Sequence, residues 1–459
     1  MADLVIDNPY TLEEAVRRPL ADEATVDGLL ERAAAAARAA RSSAVTERVA
    51  LCARAIDAMK ADSEPIAQDL TRMMGKPVQQ GRNEVATMAQ RAEHMMAIAA
   101  ESLADTVVPG REGFERRVER VPLGVVFNMP AWNYPLLTCV NAVVPALLAG
   151  NAVVLKHSTR TALCGEHFAQ AFEQAGAPPG LLQALHCDHA TAARVARDRR
   201  VAYVAFTGSV SGGRAVYQAV AGAQFSDVGL ELGGKDAAYV APDANLEQAA
   251  AGLVDGACYN AGQSCCGVER VYVHRSRYED FVAAALATMK DLGLGDPLTA
   301  VDMGPMAQPG APAFLESQVA EAKAAGAKVL CGGHSLAIDG RGRFFEPTLV
   351  TEVTHELDLM RTESFGPILP VMAVDDDDQA LALMNDSDLG LTASVWTTDR
   401  DRAATLARSL AVGTVYMNQC DVLDPALPWT GVKDSGKGST LSPLGFHHLT
   451  RPRSIFFKL

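Results

Sequence analysis

Two adjacent cysteines, Cys265 and Cys266, lie in a segment of small residues bracketed by Gly262 and Gly267. Glycines in such positions are expected where a backbone turns sharply or comes close to a ligand. A thiolate is a strong nucleophile, so an accessible cysteine here could form a covalent intermediate with an electrophile. A cysteine is more often a small buried hydrophobe, and the pair alone does not decide between these interpretations.

Two further side chains could assist such a nucleophile. Glu231 lies in the apolar, glycine-flanked segment 230–235, and a desolvated carboxylate has a raised pKa and can act as a general base near neutrality. The alternative is a buried Glu paired with Lys235 or an Arg. Asn133 lies among aromatics and prolines in segment 130–135, where a rigid amide could stabilise an oxyanion or simply support a turn.

A third kind of site is indicated where apolar strands end. Residues 206–214 follow a strand and open a helix, so the backbone N–H groups near Gly208 and Ser209 could bind an anion such as phosphate. The spacing from Gly208 to Gly213 is not the dinucleotide-binding G-x-G-x-x-G. Lys156 ends another apolar strand and could reach a ribose or phosphate, although most such lysines mark the exit to solvent.

The elements that would position these residues alternate regularly. Residues 25–103 are Ala-rich, with apolar side chains at helical spacing. In residues 113–121 bulky and charged side chains alternate, which is typical of an exposed strand. Continuous apolar runs are typical of strands buried on both faces of a parallel sheet, and they occur at 125–127, 152–155 and 201–206. After Gly234, short apolar strands and helices alternate a second time. This second series predicts a domain boundary near residues 232–234.

Length and composition exclude several classes of protein. The 459 residues exceed one ordinary hydrophobic core, and a formal charge of −14 without a basic cluster argues against nucleic acid or anionic membrane as a partner. Nine scattered cysteines predict reduced thiols and a cytoplasmic protein, and neither C-x-x-C pairs nor His-rich tracts suggest a metal site. The N-terminus has no secretory pattern.

Together, these segments resemble the aldehyde dehydrogenase superfamily, in its NAD(P)-dependent, non-acylating branch, from about Val26 to Lys433. The resemblance implies that Cys265 is the nucleophile, Glu231 the general base and Asn133 the oxyanion donor, with Cys266 a bystander. It implies a cofactor, NAD or NADP, held by the following residues: Trp132, Lys156, Ser158, Thr159, Gly208, Ser209, Gly213, Glu363 and Phe365.

The resemblance also implies an α/β fold with a Rossmann-type cofactor domain, an α/β catalytic domain and a small β oligomerisation hairpin. The expected ranges are 1–102 with 123–232 for the dinucleotide-binding domain, 233–432 for the catalytic domain, and 103–122 with 433–459 for oligomerisation. A terminal strand that joins the hairpin predicts a homodimer or homotetramer.

Two departures from the family pattern bear on cofactor and substrate. Thr159 stands where NAD-selective members carry a Glu, and Arg160 adds a cation, so dual NAD/NADP use is expected. Asn141 stands where succinate semialdehyde-oxidising members carry an Arg, and the expected tunnel positions contain neither Arg nor Lys. A neutral aliphatic or aromatic aldehyde is therefore favoured, although Asp421 and Asp424 could attract a cationic aminoaldehyde.

Three rival functions remain at this stage. A CoA-acylating dehydrogenase would resolve the thioester with a thiol and typically lacks the base represented here by Glu231. A binding protein on a decayed dehydrogenase scaffold would be expected to lose Cys265, Glu231 or Asn133. A cofactor-free cysteine hydrolase would leave the strand–turn–helix at 206–213 unexplained.

Overall fold

The structure is a computed structural model that describes residues 2–459. Its α-helices are α1 (Glu23–Ala40), α2 (Val45–Ala61), α3 (Ser63–Met74), α4 (Val78–Ser102), α5 (Pro135–Leu148), α6 (Ala162–Gln174), α7 (His189–Arg197), α8 (Val210–Ala221), α9 (Leu246–Cys258), α10 (Tyr278–Lys290), α11 (Ala311–Ala324), α12 (Asp358–Arg361), α13 (Asp377–Asn385) and α14 (Arg400–Ala407).

The strands are β1 (Asp3–Asp7), β2 (Glu14–Pro19), β3 (Thr106–Val107), β4 (Phe114–Pro122), β5 (Val125–Met129), β6 (Ala152–Leu155), β7 (Leu182–Ala184), β8 (Val201–Thr207), β9 (Asp227–Glu231), β10 (Asp236–Val240), β11 (Val268–His274), β12 (Lys328–Cys331), β13 (Ser335–Ile338), β14 (Arg341–Phe345), β15 (Thr348–Thr351), β16 (Ile368–Val374), β17 (Leu389–Gly390), β18 (Thr392–Trp396), β19 (Thr414–Met417), β20 (Val432–Lys433), β21 (Gly436–Lys437) and β22 (Thr450–Lys458).

Two large sheets carry the fold. The first has the order β21-β9-β8-β5-β6-β7, and β9, β8, β5, β6 and β7 run parallel. The second has the order β12-β15-β16-β11-β10-β18-β19 and is parallel except where β12 meets β15. The apolar runs predicted as buried strands are β5, β6 and β8. β5 and β6 are fully buried, as expected for a parallel sheet covered on both faces, whereas β8 is buried only at Val201, Tyr203 and Val204.

The chain passes from one sheet to the other within a few residues. β9 ends at Glu231 and belongs to the first sheet, whereas β10 begins at Asp236 and belongs to the second. Each sheet has its own hydrophobic core. This change lies at the segment where the sequence predicts a domain boundary, and the domain ranges themselves stay a prediction.

A small third sheet has the order β22-β4-β3. β4 is the exposed strand predicted from residues 113–121, and β22 pairs with it antiparallel from Thr450 opposite Pro122 to Lys458 opposite Phe114. Before reaching this sheet, the chain adds β21 to the first sheet beside β9, so residues 433–459 do not all belong to the hairpin.

The helical N-terminal region is confirmed as α1 to α4, and a β1–β2 hairpin that was not predicted precedes it. Asp22 caps α1 by accepting from the N–H of Thr25 at 2.8 Å, which sets where the helix begins. Across residues 2–459, no helix has the length and apolar character needed to cross a membrane.

Candidate active site

A cavity of about 750 Å³ collects most of the predicted site residues. It lies where β5, β6, β8 and β9 reach their carboxyl ends, the usual position of ligands in open parallel sheets. Its wall includes these predicted residues: Trp132, Asn133, Lys156, Ser158, Thr159, Gly208, Ser209, Glu231, Cys265, Glu363 and Phe365.

The loop that carries Cys265 is held by side-chain hydrogen bonds. Asn260 Nδ2 donates to the carbonyl of Gln263 at 3.2 Å, and Gln263 Nε2 donates to the carbonyl of Asn260 at 2.9 Å. Asn260 and Ala261 both adopt positive φ, at 54° and 56°. At Gly262, φ is 69° and a Cβ would lie 2.3 Å from the carbonyl carbon of Gly366, so this turn requires glycine.

The two cysteines have different surroundings. Cys265 is partly exposed and lines the cavity, whereas Cys266 is buried and donates to Asp421 Oδ1 at 3.0 Å. The Cys265 thiol, burial and the Asp421 carboxylate raise the pKa of Cys266 well above its usual range. These contacts make Cys265 the accessible thiol of the pair.

Asn133 presents an amide without an internal partner. It is 3% exposed, and its Nδ2 makes no hydrogen bond within residues 2–459. Its carbonyl accepts from Lys76 Nζ at 2.9 Å and from Asn260 Nδ2 at 3.1 Å, which ties it to the cysteine loop. A buried donor left unsatisfied is costly, so this amide is suited to a ligand oxygen.

Glu231 ends β9, and its carboxylate accepts hydrogen bonds from the hydroxyls of Thr440 and, at 3.3 Å, Thr207. Burial raises the pKa of Glu231 above its ordinary value, and these two hydrogen bonds partly oppose that rise. Lys235 does not pair with Glu231; its Nζ lies 2.6 Å from Glu269 Oε2 instead. Glu231 also lines a second cavity of about 30 Å³.

The turn from β8 into α8 has the expected form. The Ser209 hydroxyl caps the helix by accepting from the N–H of Gly212 at 3.1 Å, and Gly208, Ser209 and Gly212 line the large cavity. Gly213 is not on the cavity wall. A Cβ there would lie 2.6 Å from Leu232 Cδ2, so its absence allows α8 to pack against the chain after β9.

Lys156 and Thr159 lie where a dinucleotide could reach them. Lys156 is largely buried on the cavity wall, its Nζ forms no hydrogen bond with residues 2–459, and burial lowers its pKa. Arg160 differs from the expectation of a cation available to a 2′-phosphate. It pairs with Asp7 at 2.7 Å and donates to the carbonyl of Met73, so its charge is already compensated.

A buried ion pair holds the segment that carries Glu363 and Phe365. Glu269, which is paired with Lys235, accepts from the N–H groups of Ser364 at 2.7 Å and Phe365 at 2.8 Å. Burial, and then the Glu269 carboxylate, raise the pKa of Glu363, and its Oε1 accepts from the N–H of Gly234 at 3.0 Å. The Phe365 ring meets Trp132 edge to face at 5.4 Å.

Comparison with known proteins decides the family. The model of the aldehyde dehydrogenase family matches residues 3–455. This chain belongs to the aldehyde dehydrogenase family. It is an oxidoreductase of that class, as the resemblance implied.

Two similar proteins illustrate the family. The succinate semialdehyde dehydrogenase [NAD(P)+] Sad of Escherichia coli (strain K12) is 35% identical over 98% of this chain and 96% of that protein. An aldehyde dehydrogenase of Paenarthrobacter nicotinovorans is 34% identical over 94% of each chain.

Solved structures confirm the aldehyde dehydrogenase fold, with a Rossmann-type and a catalytic part. Lactaldehyde dehydrogenase from Escherichia coli superimposes with a TM-score of 0.96 at 29% identity, covering 100% of this chain and 96% of that one. 3,6-anhydro-L-galactose dehydrogenase in complex with NAP gives a TM-score of 0.95 at 30% identity, covering 99% and 96%.

The sequence did not predict two charged residues, one just before α4 and one on it, that support this aldehyde dehydrogenase site. Lys76 and Glu84 form a buried ion pair, and Glu84 Oε1 accepts from the N–H of Leu136 at 2.9 Å. The pair fixes the segment between Asn133 and the start of α5. A charged residue such as Glu84 on the apolar face of an amphipathic helix could have indicated a buried ion pair. Helical periodicity alone does not show which residues lie opposite that face.

Arg91, about two turns beyond Glu84 on α4, was missed for the same reason. Its Nη1 donates to Asn141 Oδ1 at 3.2 Å, and it is 6% exposed. The prediction of a neutral aldehyde rested on these tunnel positions: Trp132, Thr138, Asn141, Ser264, Cys266 and residues 419–427. It therefore left out a cation that α4 brings to this region.

Proposed function

We propose that this protein oxidises an aldehyde to its carboxylic acid, with NAD or NADP as the hydride acceptor. The observation that carries the proposal is that Cys265, Glu231 and Asn133, which come from three separate segments of the chain, line one cavity. A nucleophile, a base and an unsatisfied amide donor together suit attack on a carbonyl.

The size and the lining of the cavity suit a dinucleotide. It has about 750 Å³ of space, a capped helix N-terminus at Ser209 for a pyrophosphate, and a Lys156 ammonium without a protein partner. Glu363 and Phe365 stand at the end nearest the cysteine loop to hold a nicotinamide ribose and ring. When bound, the cofactor accepts the hydride that leaves the aldehyde carbon.

Cys265, Asn133 and Glu231 each have a separate role in the proposed reaction. The Cys265 sulfur attacks the aldehyde carbon, and Asn133 Nδ2 donates to the oxygen that becomes negative in the thiohemiacetal. Loss of hydride leaves a thioester on Cys265. Glu231, whose pKa is raised, takes a proton from water as that water attacks the thioester, and the acid and free thiol are released.

The test separates the two halves of the reaction. In Glu231→Gln, we expect one rapid turnover of NAD(P)H formation followed by a stall, with the acyl group on Cys265 detected by mass spectrometry. Cys265→Ala should give neither burst nor adduct. A steady rate in Glu231→Gln that increases when coenzyme A is added, but not with buffer, would replace this proposal with the CoA-acylating reaction.

We further infer a homodimer or homotetramer in the cytoplasm. The β22–β4–β3 sheet supports the assembly, since β22 leaves Phe456 and Phe457 exposed at the chain's surface. All nine cysteines are free, which suits a reducing compartment.

A further inference from the structure

Asp7 is a carboxylate held between two arginines that come from distant parts of the chain. Its Oδ1 lies 2.7 Å from Arg160 Nη1, and its Oδ2 accepts from Arg343 Nη1 at 2.5 Å. The two arginine side chains are only 9% and 14% exposed. Although burial favours the neutral acid, the hydrogen bonds from Arg343 and Arg160 lower the pKa of Asp7 to about 2. The carboxylate is therefore ionised at neutral pH and bridges both cations.

This bridge connects two parts of the fold that have separate hydrophobic cores. Asp7 ends β1, whose Ile6 belongs to the core of the first sheet. Arg343 lies on β14, two residues before Phe345 of the second core. The backbone N–H of Arg343 also donates to the carbonyl of Pro9 at 3.2 Å, beside the ion pair. The N-terminal hairpin therefore spans the boundary between the two cores.

The same hairpin forms part of the wall of the large cavity. Val5 and Ile6 line this cavity together with Thr159 and Arg160, at the end where the cofactor ribose is expected. Val5, Ile6 and Asp7 are consecutive residues of one strand. The contacts that Asp7 makes therefore help to fix where this part of the wall lies.

Arg343 extends the network to the cysteine loop. Its Nε donates to the carbonyl of Met306 and its Nη2 to the carbonyl of Ala307, each at 3.0 Å. The N–H of Ala307 in turn donates to Gln263 Oε1 at 2.9 Å, and Gln263 lies two residues before Cys265. A displaced Arg343 guanidinium would therefore disturb hydrogen bonds that end in the loop of the reactive thiol.

Loss of the Asp7 carboxylate would leave two like charges near each other. Burial lowers the pKa of Arg160, and the nearby Arg343 charge adds to this effect. An amide at position 7 could accept a hydrogen bond but could neutralise neither cation, and an uncompensated buried charge is strongly unfavourable. The two guanidinium groups would then repel each other across the boundary between the two cores.

We propose that Asp7 is a positioning residue for the reaction, which holds the cofactor wall at Val5 and Ile6 in a fixed place relative to the cysteine loop. It does so by binding Arg343 across the boundary between the two cores. Both effects rest on the proposed function, since they take the cavity to hold the dinucleotide and Cys265 to be the nucleophile. Cofactor binding and thiol reactivity thus depend on one carboxylate outside the cavity wall.

The experiment compares Asp7→Asn, which keeps the size of the side chain, with Arg343→Met, which removes the link to the cysteine loop. Two quantities are measured in each full-length variant. They are the Kd for NAD and for NADP, by titration calorimetry, and the rate constant for labelling of Cys265 by iodoacetamide without cofactor. We expect both variants to raise the Kd by about tenfold. The labelling rate constant should change by at least about threefold, because the loop then holds the thiol differently.

Asp3→Asn is the matched control. Asp3 lies on the same strand and pairs with Arg17 at 3.0 Å, but both side chains are well exposed. A surface pair contributes little, so neither quantity should change by more than about twofold. The double variant Asp7→Asn/Arg343→Met should have about the same Kd as the single variants, because residues that act through one contact are not additive.

Two results would overturn the role of Asp7. One is a lower melting temperature of Asp7→Asn with the wild-type Kd and labelling rate constant, which would mean that Asp7 only stabilises the fold. The other is a raised Kd with unchanged labelling in both variants, which would remove the link to the cysteine loop. If Asp7→Asn does not fold, the same two measurements on Arg343→Met decide the question.

Failure of the proposed oxidation is distinguishable from these results. The wild-type protein would then form no NADH or NADPH with any aldehyde, while cofactor binding and thiol labelling could still be compared between the variants.

Discussion

Lys235 and Glu269 form an ion pair closed to solvent, with 2.6 Å between Nζ and Oε2, and it joins the start of β10 to β11 beneath the cavity. Glu269 also accepts the N–H groups of Ser364 and Phe365, so a single carboxylate both neutralises Lys235 and orients the segment that carries Glu363. The pair does no chemistry itself and acts by positioning.

Removing one partner should therefore be more harmful than removing both. Lys235→Met leaves Glu269 buried without a cation, and we expect the free energy of unfolding in urea to fall by about 3–5 kcal/mol. The double variant Lys235→Met/Glu269→Leu should recover part of that loss while KM for the cofactor stays raised. Equal stability of the single and double variants would contradict the pairing.

The two cysteines should respond differently to substitution. Cys265→Ser should lower kcat to the background rate, because a hydroxyl is a far weaker nucleophile than a thiolate. Cys266→Ala, which removes a buried thiol bound to Asp421, should retain more than about a tenth of the activity at a modest cost in stability. Labelling by a small haloacetamide should occur at Cys265 in the wild-type protein; predominant labelling at Cys266 would reverse the assignment.

Acid should inhibit the hydrolytic half of the reaction. Glu231 must be ionised to accept a proton, and burial raises its pKa above the ordinary value of 4.5. Its base activity is thus present at pH above the raised pKa and is lost as the pH falls through it. We expect deacylation, followed by stopped flow, to slow on acidification, whereas Glu231→Gln should be about a hundredfold slower or more and insensitive to pH.

Thr159 should permit NADP, and Thr159→Glu should exclude it. A carboxylate beside the cofactor ribose repels a 2′-phosphate, so kcat/KM for NADP should fall by about tenfold or more while that for NAD is kept. Arg160 is held by Asp7, and Arg160→Met should therefore act mainly on stability. If the wild-type rate with NADP is less than about a hundredth of its rate with NAD, the prediction of dual cofactor use is wrong.

The terminal strand should control assembly. Removing residues 450–459 deletes β22, which pairs with β4 over nine residues and carries Phe456 in a stacked contact with Phe114 at 5.0 Å. We expect light scattering to show a dimer or tetramer for the full chain and a smaller species for the truncated one. An unchanged mass after truncation would place the interface elsewhere. Phe457→Ser is a milder variant that keeps the strand.

Local pattern was sufficient for much of the site. Glycine-flanked cysteines, a carboxylate after an apolar strand and an Asn among aromatics are features of neighbouring residues, and Cys265, Glu231 and Asn133 do line one cavity. The buried strands β5 and β6 follow from continuous apolar runs, since only a sheet covered on both faces buries every side chain. The helical N-terminal region was predictable for a different reason, its Ala-rich helical spacing.

Long-range partners were decided only by the tertiary structure. Lys235 pairs with Glu269 across 34 positions, Arg160 with Asp7 across 153, and Arg91 meets Asn141 across 50. No local pattern encodes such pairs, because helical periodicity says that a face is buried but not which element covers it. The sequence by itself determined the reactive groups and the elements that carry them. Packing alone decided which of these buried charges have a partner.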